Sequence, residues 1–214
     1  MFENATASHR PGSNTEEINA IIKPMLDQWE KIYHLSPELV DDIRQRVKIR
    51  RLDKGELLLV PGKIASHASF ILEGLVKSYY IPEDEIAPVV TKFMFENSII
   101  TSILSYYSRQ PGNEYIEAVE DTLIASLHYN DMQFLFSKHF EFNYIIRVIA
   151  EKYLYCLEVE IYNRRKPLAE DRYAFFQKHF PYLLQRVALK DIASYLSMTT
   201  ETLSRIRGKH KKTR

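Results

Sequence analysis

The sequence predicts an α+β protein: an N-terminal jelly-roll β-barrel with flanking helices, one long helix, and a C-terminal helix-turn-helix domain. Three observations predict it. Seven short β-rich runs punctuated by glycine fill the stretch from Val47 to His128. Asp131–Asn163 contains no proline or glycine and carries apolar residues at helical spacing. Leu189–Gly208 reads as two short amphipathic helices about a tight turn. A length of 214 residues with 45% hydrophobic content suits two modest domains better than one large one.

Taken in order, residues 1–14 are rich in Ser, Asn, Ala, Pro and Gly and are expected to be disordered. Residues 15–130 are expected to hold the barrel and its flanking helices. From Glu16 to about Tyr33, Ile18, Ile21, Ile22, Met25, Leu26 and Trp29 keep a helical period that Pro24 is expected to interrupt. Ser36-Pro37 opens a second short helix that runs to Val47. The strand runs are Lys48–Leu52, Leu57–Val60, Ser69–Leu72, Leu75–Ile81, Pro88–Phe95, Tyr115–Ala118 and Leu123–Leu127, with turns at Gly55, Gly62, Gly74 and Pro111-Gly112. Many short strands with glycine-bearing turns suggest a jelly roll.

Residues 131–163 are expected to form a single long dimerisation helix with two adjacent stripes. One is Phe142, Ile146, Ile149, Tyr153 and Cys156, and the other is Ala150, Leu154, Leu157 and Ile161. One stripe can face the barrel and the other a partner, and Phe142, Ile146, Ile149 and Tyr153 are the expected homodimer interface. Packing of both stripes within one chain remains open at this point. Arg164-Arg-Lys166-Pro167 ends the helix as a hinge, and residues 167–214 form the last domain, beginning with an aromatic helix over Tyr173–Phe180.

In that domain Ile192, Ala193, Leu196, Met198, Leu203 and Ile206 can close one miniature core. Thr199 is placed to cap the second helix, and Glu201 sits in its positive first turn. Thr200, Glu201, Ser204 and Arg205 then share a polar face suited to the major groove. Arg205 can donate twice to guanine, Glu201 can accept from cytosine N4, and Ser204 can do either. Arg205, Arg207, Lys209, Lys211, Lys212 and Arg214 suit phosphate contacts. These six cations, set against a total of +1, leave −5 for the residues before them, so the basic character is local and the chain is no general polyanion binder.

Met198-Thr-Thr-Glu-Thr-Leu-Ser-Arg-Ile206 resembles the recognition helix of the Crp/Fnr bacterial transcription regulators. In that family the Glu, Ser and Arg of this segment read bases, which assigns those roles to Glu201, Ser204 and Arg205. Asp53-Lys-Gly-Glu-Leu-Leu-Leu-Val-Pro-Gly62 and Phe70-Ile-Leu-Glu-Gly-Leu-Val-Lys77 look like the first hairpins of the cyclic-nucleotide-binding fold. The likeness spans about Leu35 to Lys211. It implies a homodimeric regulator of double-stranded DNA, with RNA polymerase a candidate further partner; a cytoplasmic location is expected from the lack of a spanning apolar run and the polar Met1–Glu17 stretch.

The chain departs from the family in three places. Ser197 stands where a turn glycine is usual, which strains it if the turn needs φ > 0. The sequence stops before the family's β-hairpin wing, so phosphate anchorage is expected from the basic tail. The family's pocket needs a Gly-Glu-Leu segment and an Arg-Ser pair, but Thr101-Ser102 and Glu114-Tyr115 fall at those positions, and Arg109 is the one arginine nearby. A carboxylate where a phosphate should sit repels it. The resemblance therefore implies a degenerate effector pocket at Thr101, Ser102, Glu114 and Tyr115. No cofactor is expected, and no cyclic AMP binding in the family's manner.

Enzymatic chemistry is the weaker reading. His67, His128 and His139 lack a metal-site spacing, and neither a phosphate loop nor an activated nucleophile motif occurs. The single cysteine, Cys156, excludes an internal disulfide and a cysteine-only cluster within one chain. No apolar run approaches the ~18 residues that span a bilayer. A barrel sensor whose terminal helices bind a protein, and a jelly-roll enzyme, remain as alternatives to DNA reading.

Overall fold

The computed structural model describes residues 15–84 and 87–212, with side chains from 16 to 209 among them. The expectation for residues 1–14 and the side chain of Lys211 lie outside the described part. Among the described residues, eight strands form two antiparallel four-stranded sheets. The first sheet contains β1 (Lys48–Leu52), β3 (His67–Glu73), β6 (Ile99–Ile100) and β8 (Thr122–His128), in the order β1-β8-β3-β6. The second contains β2 (Leu57–Leu59), β4 (Leu75–Tyr80), β5 (Val89–Phe95) and β7 (Tyr115–Ala118), in the order β2-β7-β4-β5. These are the two interlocked halves of a jelly roll.

Leu52, Ile71, Val76, Ile100, Ile116, Ala118 and Ile124 fill the space between the sheets. The chain passes from one sheet to the other at Gly74, whose φ is +104° and where an added Cβ would lie 2.4 Å from the Thr122 hydroxyl, so only glycine fits this corner. Every expected strand forms. The two-residue β6 and the six-residue helix α3 (Ile103–Ser108) are additional, both too short to show a sequence period.

Helices cover the outer face of the first sheet. α1 (Thr15–Glu30) and α2 (Pro37–Arg46) pack there with α4 (Tyr129–Lys138) and the first turns of α5 (Phe140–Arg164), burying Ile22, Trp29, Leu39, Ile43, Leu135 and Phe142. α2 starts where Ser36 accepts a hydrogen bond from the Leu39 amide and Pro37 presets the first turn. Two expectations need correcting. Pro24 does not interrupt α1, because it lies on the exposed side and the burial of Ile22, Met25 and Trp29 offsets the lost backbone bond.

The expected single helix over 131–163 is two helices, broken at His139. The His139 ring, 4% exposed, bonds to the Asp42 carboxylate at 2.8 Å, and Lys138 Nζ reaches the same carboxylate at 2.7 Å. This tertiary attachment to α2 outweighs local helix preference and turns the chain. Among the described residues no helix is long and apolar enough to cross a membrane.

The outer face of the second sheet carries the C-terminal domain: α6 (Ala169–His179), α7 (Leu183–Arg186), α8 (Leu189–Tyr195) and α9 (Thr200–Lys212). Leu75, Val90, Phe93 and Phe95 of the sheet meet Tyr173, Phe176, Leu183 and Tyr195 of the helices. Charged and polar contacts cross the same seam. Arg186 bonds both oxygens of Glu96, at 3.0 and 2.7 Å, and also pairs with Glu120. Lys77 Nζ lies 3.0 Å from Asp191, and the Val90 amide donates to the Ser194 hydroxyl at 3.0 Å.

Candidate nucleic-acid interface

The turn between α8 and α9 is built by a few backbone bonds and one arginine. Leu196 ends α8, and the Met198 amide returns to the Ala193 carbonyl at 3.0 Å. Ser197 takes φ 53°, the left-handed conformation expected from its usual replacement by glycine. Arg172 of α6 donates to the otherwise unpaired carbonyls of Leu196 at 2.9 Å and Ser197 at 3.3 Å, tying the turn to the first helix of the domain. Arg172 was absent from the sequence reading, and its distance of some two dozen residues along the chain leaves no local signal.

Ile192, Ala193, Leu196, Leu203 and Ile206 are all buried, and Met198 packs against them half-buried. The Thr199 hydroxyl accepts from the Thr202 amide at 3.2 Å, the cap expected for α9. The Glu201 carboxyl is held below its ordinary value of 4.5 by its own backbone amide and the Thr199 hydroxyl. It is therefore an ionised acceptor at neutral pH.

Burial of Leu203 and Ile206 fixes which side of α9 looks outward. Glu201, Ser204, Arg205 and Lys209 are exposed, Thr199 stands exposed at the helix start, and Thr200 and Arg207 are half-buried. Among the described residues no carboxylate lies within ion-pair distance of Arg205 or Arg207. Lys209 pairs with Glu170 at 2.8 Å, but both side chains are more than half exposed, so water competes with this pair. Glu201, Ser204 and Arg205 and their cationic flank thus lie on one surface.

Thr101 and Ser102 line a cavity of about 420 Å³ together with residues of both sheets. Glu114 and Tyr115 lie outside that lining. Glu114 accepts a hydrogen bond from Ser78, and Tyr115 stacks on Tyr79 with ring centroids 4.9 Å apart. Arg109 is engaged elsewhere, donating to the Ala65 carbonyl at 2.8 Å and lying 4.1 Å over the Tyr129 ring.

The cavity wall also holds Lys48 and Arg50, which the sequence reading overlooked. A signal existed: Lys48, Arg50 and Leu52 share one face of β1, and Leu52 points into the barrel.

The expected homodimer residues divide. Phe142 is fully buried against Trp29 and Phe136 within one chain, so it is unavailable to a partner. Ile146 and Ile149 pack on the same core, and Tyr153 is 36% exposed beneath the Lys92 ammonium. The second stripe faces outward instead: Leu154 is 60% exposed, with Ala150 exposed and Leu157 and Ile161 half-buried.

No family model matches the chain, and no curated protein matches it in sequence. Solved structures do share its fold. FixK2 from Bradyrhizobium japonicum superposes with a TM-score of 0.67 at 17% identity, over 78% of this chain and 85% of that one. CLP, a c-di-GMP responsive global regulator of Xanthomonas campestris, gives 0.64 at 15% identity over 83% and 93%. A mutant of CooA from Carboxydothermus hydrogenoformans gives 0.61 at 18% identity over 86% and 83%. Each of these likenesses covers more than three quarters of the chain.

Proposed function

We propose that this chain is a transcription regulator of the Crp/Fnr type that binds specific double-stranded DNA as a homodimer and acts by binding rather than by turnover. One observation carries the reading. α9 buries Leu203 and Ile206 and so presents Glu201, Ser204 and Arg205 together on its open side, the residue types that read base edges in the major groove. Arg207 and Lys209 flank them for phosphate contacts. The reading has the chain pair through the outward stripe of α5, Ala150, Leu154, Leu157 and Ile161, with RNA polymerase a candidate further partner. A two-fold dimer places two recognition helices on half-sites about 34 Å apart.

Selection of binding sites from a random DNA pool should return a near-palindrome. Arg205→Ala should then lose about 1–3 kcal/mol at one base position and relax the preference there, measured by fluorescence anisotropy on single-base variants. Equal binding of wild type and variant to every site would defeat the proposal. The reading also has the barrel decline cyclic AMP, since Arg109 is spent on Ala65 and Tyr129 and Glu114 lies off the cavity. Calorimetry should register no heat of binding for cyclic AMP, and micromolar affinity abolished by Ser102→Ala would overturn this part.

A further inference from the structure

The cavity lined by Thr101 and Ser102 has an unbalanced wall. Lys48, Arg50 and Lys63 line it together with hydroxyl and aliphatic groups, and no carboxylate is among its lining residues. Arg50 is partly neutralised by Glu56, whereas Lys48 and Lys63 have no ion-pair partner among the described residues. The rim is thus a cationic opening above an apolar floor.

Three further features point inward. Ser102 is 2% exposed, lines the cavity, and, although it occupies the N-cap of α3, its hydroxyl makes no capping hydrogen bond among the described residues. Its hydroxyl opens onto the cavity, where it is available to a polar atom of a guest. His67, half-buried in the same wall, is held below its ordinary value of 6.5 by burial and by the charges of His128 and Lys48, so it stands as a neutral donor at neutral pH. Lys48 and Arg50 alternate along β1 on the face that ends in buried Leu52, where a jelly roll ordinarily places apolar side chains.

We propose that this cavity binds a small organic anion, a carboxylate, sulfonate or phosphate on a compact apolar body, with the anionic group held by Lys48 and Lys63 and the body on the aliphatic floor. The anion is thereby held from β1 and from the loop before β3, whose Ala65 amide donates to the Ser105 hydroxyl beside the Thr101-Ser102 segment. The inference stands apart from DNA reading and does not depend on it. Inward-pointing cations on an edge strand such as β1 also deter unwanted strand pairing, and that role requires no ligand.

Two fluorescent probes separate these roles: anilinonaphthalene sulfonate, and N-phenylnaphthylamine, the same aromatic body without its charge. The full chain should bind the sulfonate at least about tenfold more tightly than the amine, the effect of an ion pair in partly solvated surroundings. The double variant Lys48→Met, Lys63→Met should lose about that factor for the sulfonate and leave the amine unchanged. Ser102→Leu, which fills the inner end, should abolish binding of both, with near-ultraviolet circular dichroism confirming the native packing. Equal affinity for the two probes, or sulfonate binding that survives the double lysine variant, would overturn the proposal. The lysine variant carries the test alone if Ser102→Leu fails to fold, because its changes lie on the exposed rim.

Discussion

The two outer faces of the jelly roll are both covered by helices, yet they are joined in different ways. Over the first sheet, α1, α2, α4 and α5 meet Phe70, Ala125 and Leu127 through apolar contact. The charges there, centred on Asp42, bind helix to helix. Over the second sheet, Phe93 and Phe95 meet the C-terminal helices through rings, but Arg186, Lys77 and Ser194 also cross from helix to sheet. An apolar seam loses its whole stabilisation when opened. A seam laced with partly exposed ion pairs regains hydration as it opens, so its net cost of separation is smaller. The contrast marks the first face as scaffold and the second as a joint.

Two phenylalanines of equal burial test this most severely. Phe142 and Phe176 are both fully buried, and truncation of either to alanine should cost about 3–5 kcal/mol. Phe142→Ala should lower hydrogen-exchange protection throughout the barrel and its N-terminal helices. Phe176→Ala should expose amides of α6 to α9 while the strands keep their protection. A uniform loss of protection in both variants would show the two faces to be one cooperative unit and dissolve the contrast.

The ionic groups sharpen it at smaller amplitude. Asp42 is 7% exposed and serves Arg46, Lys138 and His139 at once, and the Lys138 and His139 bonds hold its carboxyl down at about 2. Asp42→Asn removes the charge that Arg46, Lys138 and His139 share, and with Lys138 still paired to Glu38 and Arg46 still bonded to the residue-42 carbonyl it should cost about 1–3 kcal/mol. Since the folded-state value is depressed, this stability is present above the ordinary 3.8 and is lost as pH falls through about 2. Acid unfolding should therefore be shallower for the asparagine variant in that window. Arg186→Met, whose partners Glu96 and Glu120 are each about a third exposed, should cost only about 1 kcal/mol after allowance for solvent. If Arg186→Met proved the more damaging of the two, the second face would be no joint.

What the sequence disclosed follows the range of the forces involved. The helix-turn-helix was legible because its core, its Thr199 cap and its strained Ser197 all lie within about a dozen residues and obey local rules. The strands were legible for the same reason, through glycine turns and β-rich runs. The break at His139 was not, since its cause is Asp42, 97 positions away. Pro24 misled because its exposure, and with it the modest cost of its missing amide, is a tertiary fact. Phe142 and Leu154 looked alike as helical stripes, and only the position of Trp29 decides which one faces the core. The cationic wall of the cavity was readable in the alternation of Lys48, Arg50 and Leu52, once β1 was known to turn that face inward.

The subtlest contrast concerns the hydrogen bond from the Tyr195 hydroxyl of α8 to Glu160 of α5, at 3.0 Å. Burial raises the Glu160 carboxyl above its ordinary 4.5, against the opposing pull of Tyr195 and Arg164. A raised folded-state value means the docked arrangement binds the proton more tightly than the open one. Docking is then favoured by the neutral acid and weakens as pH rises through the raised value, because the ionised carboxylate must stay partly desolvated. Glu160→Gln keeps an acceptor for Tyr195 and removes the charge, so α8 should remain protected at a pH where wild-type protection has begun to fall. Amide exchange of α8, followed from mildly acidic to mildly alkaline solution, distinguishes the two cases. The strands of the first sheet should show no such pH dependence in either protein. A wild-type profile equally flat in α8 would remove Glu160 as a link between the long helix and the C-terminal helices, leaving the joint to Arg186, Lys77 and the rings.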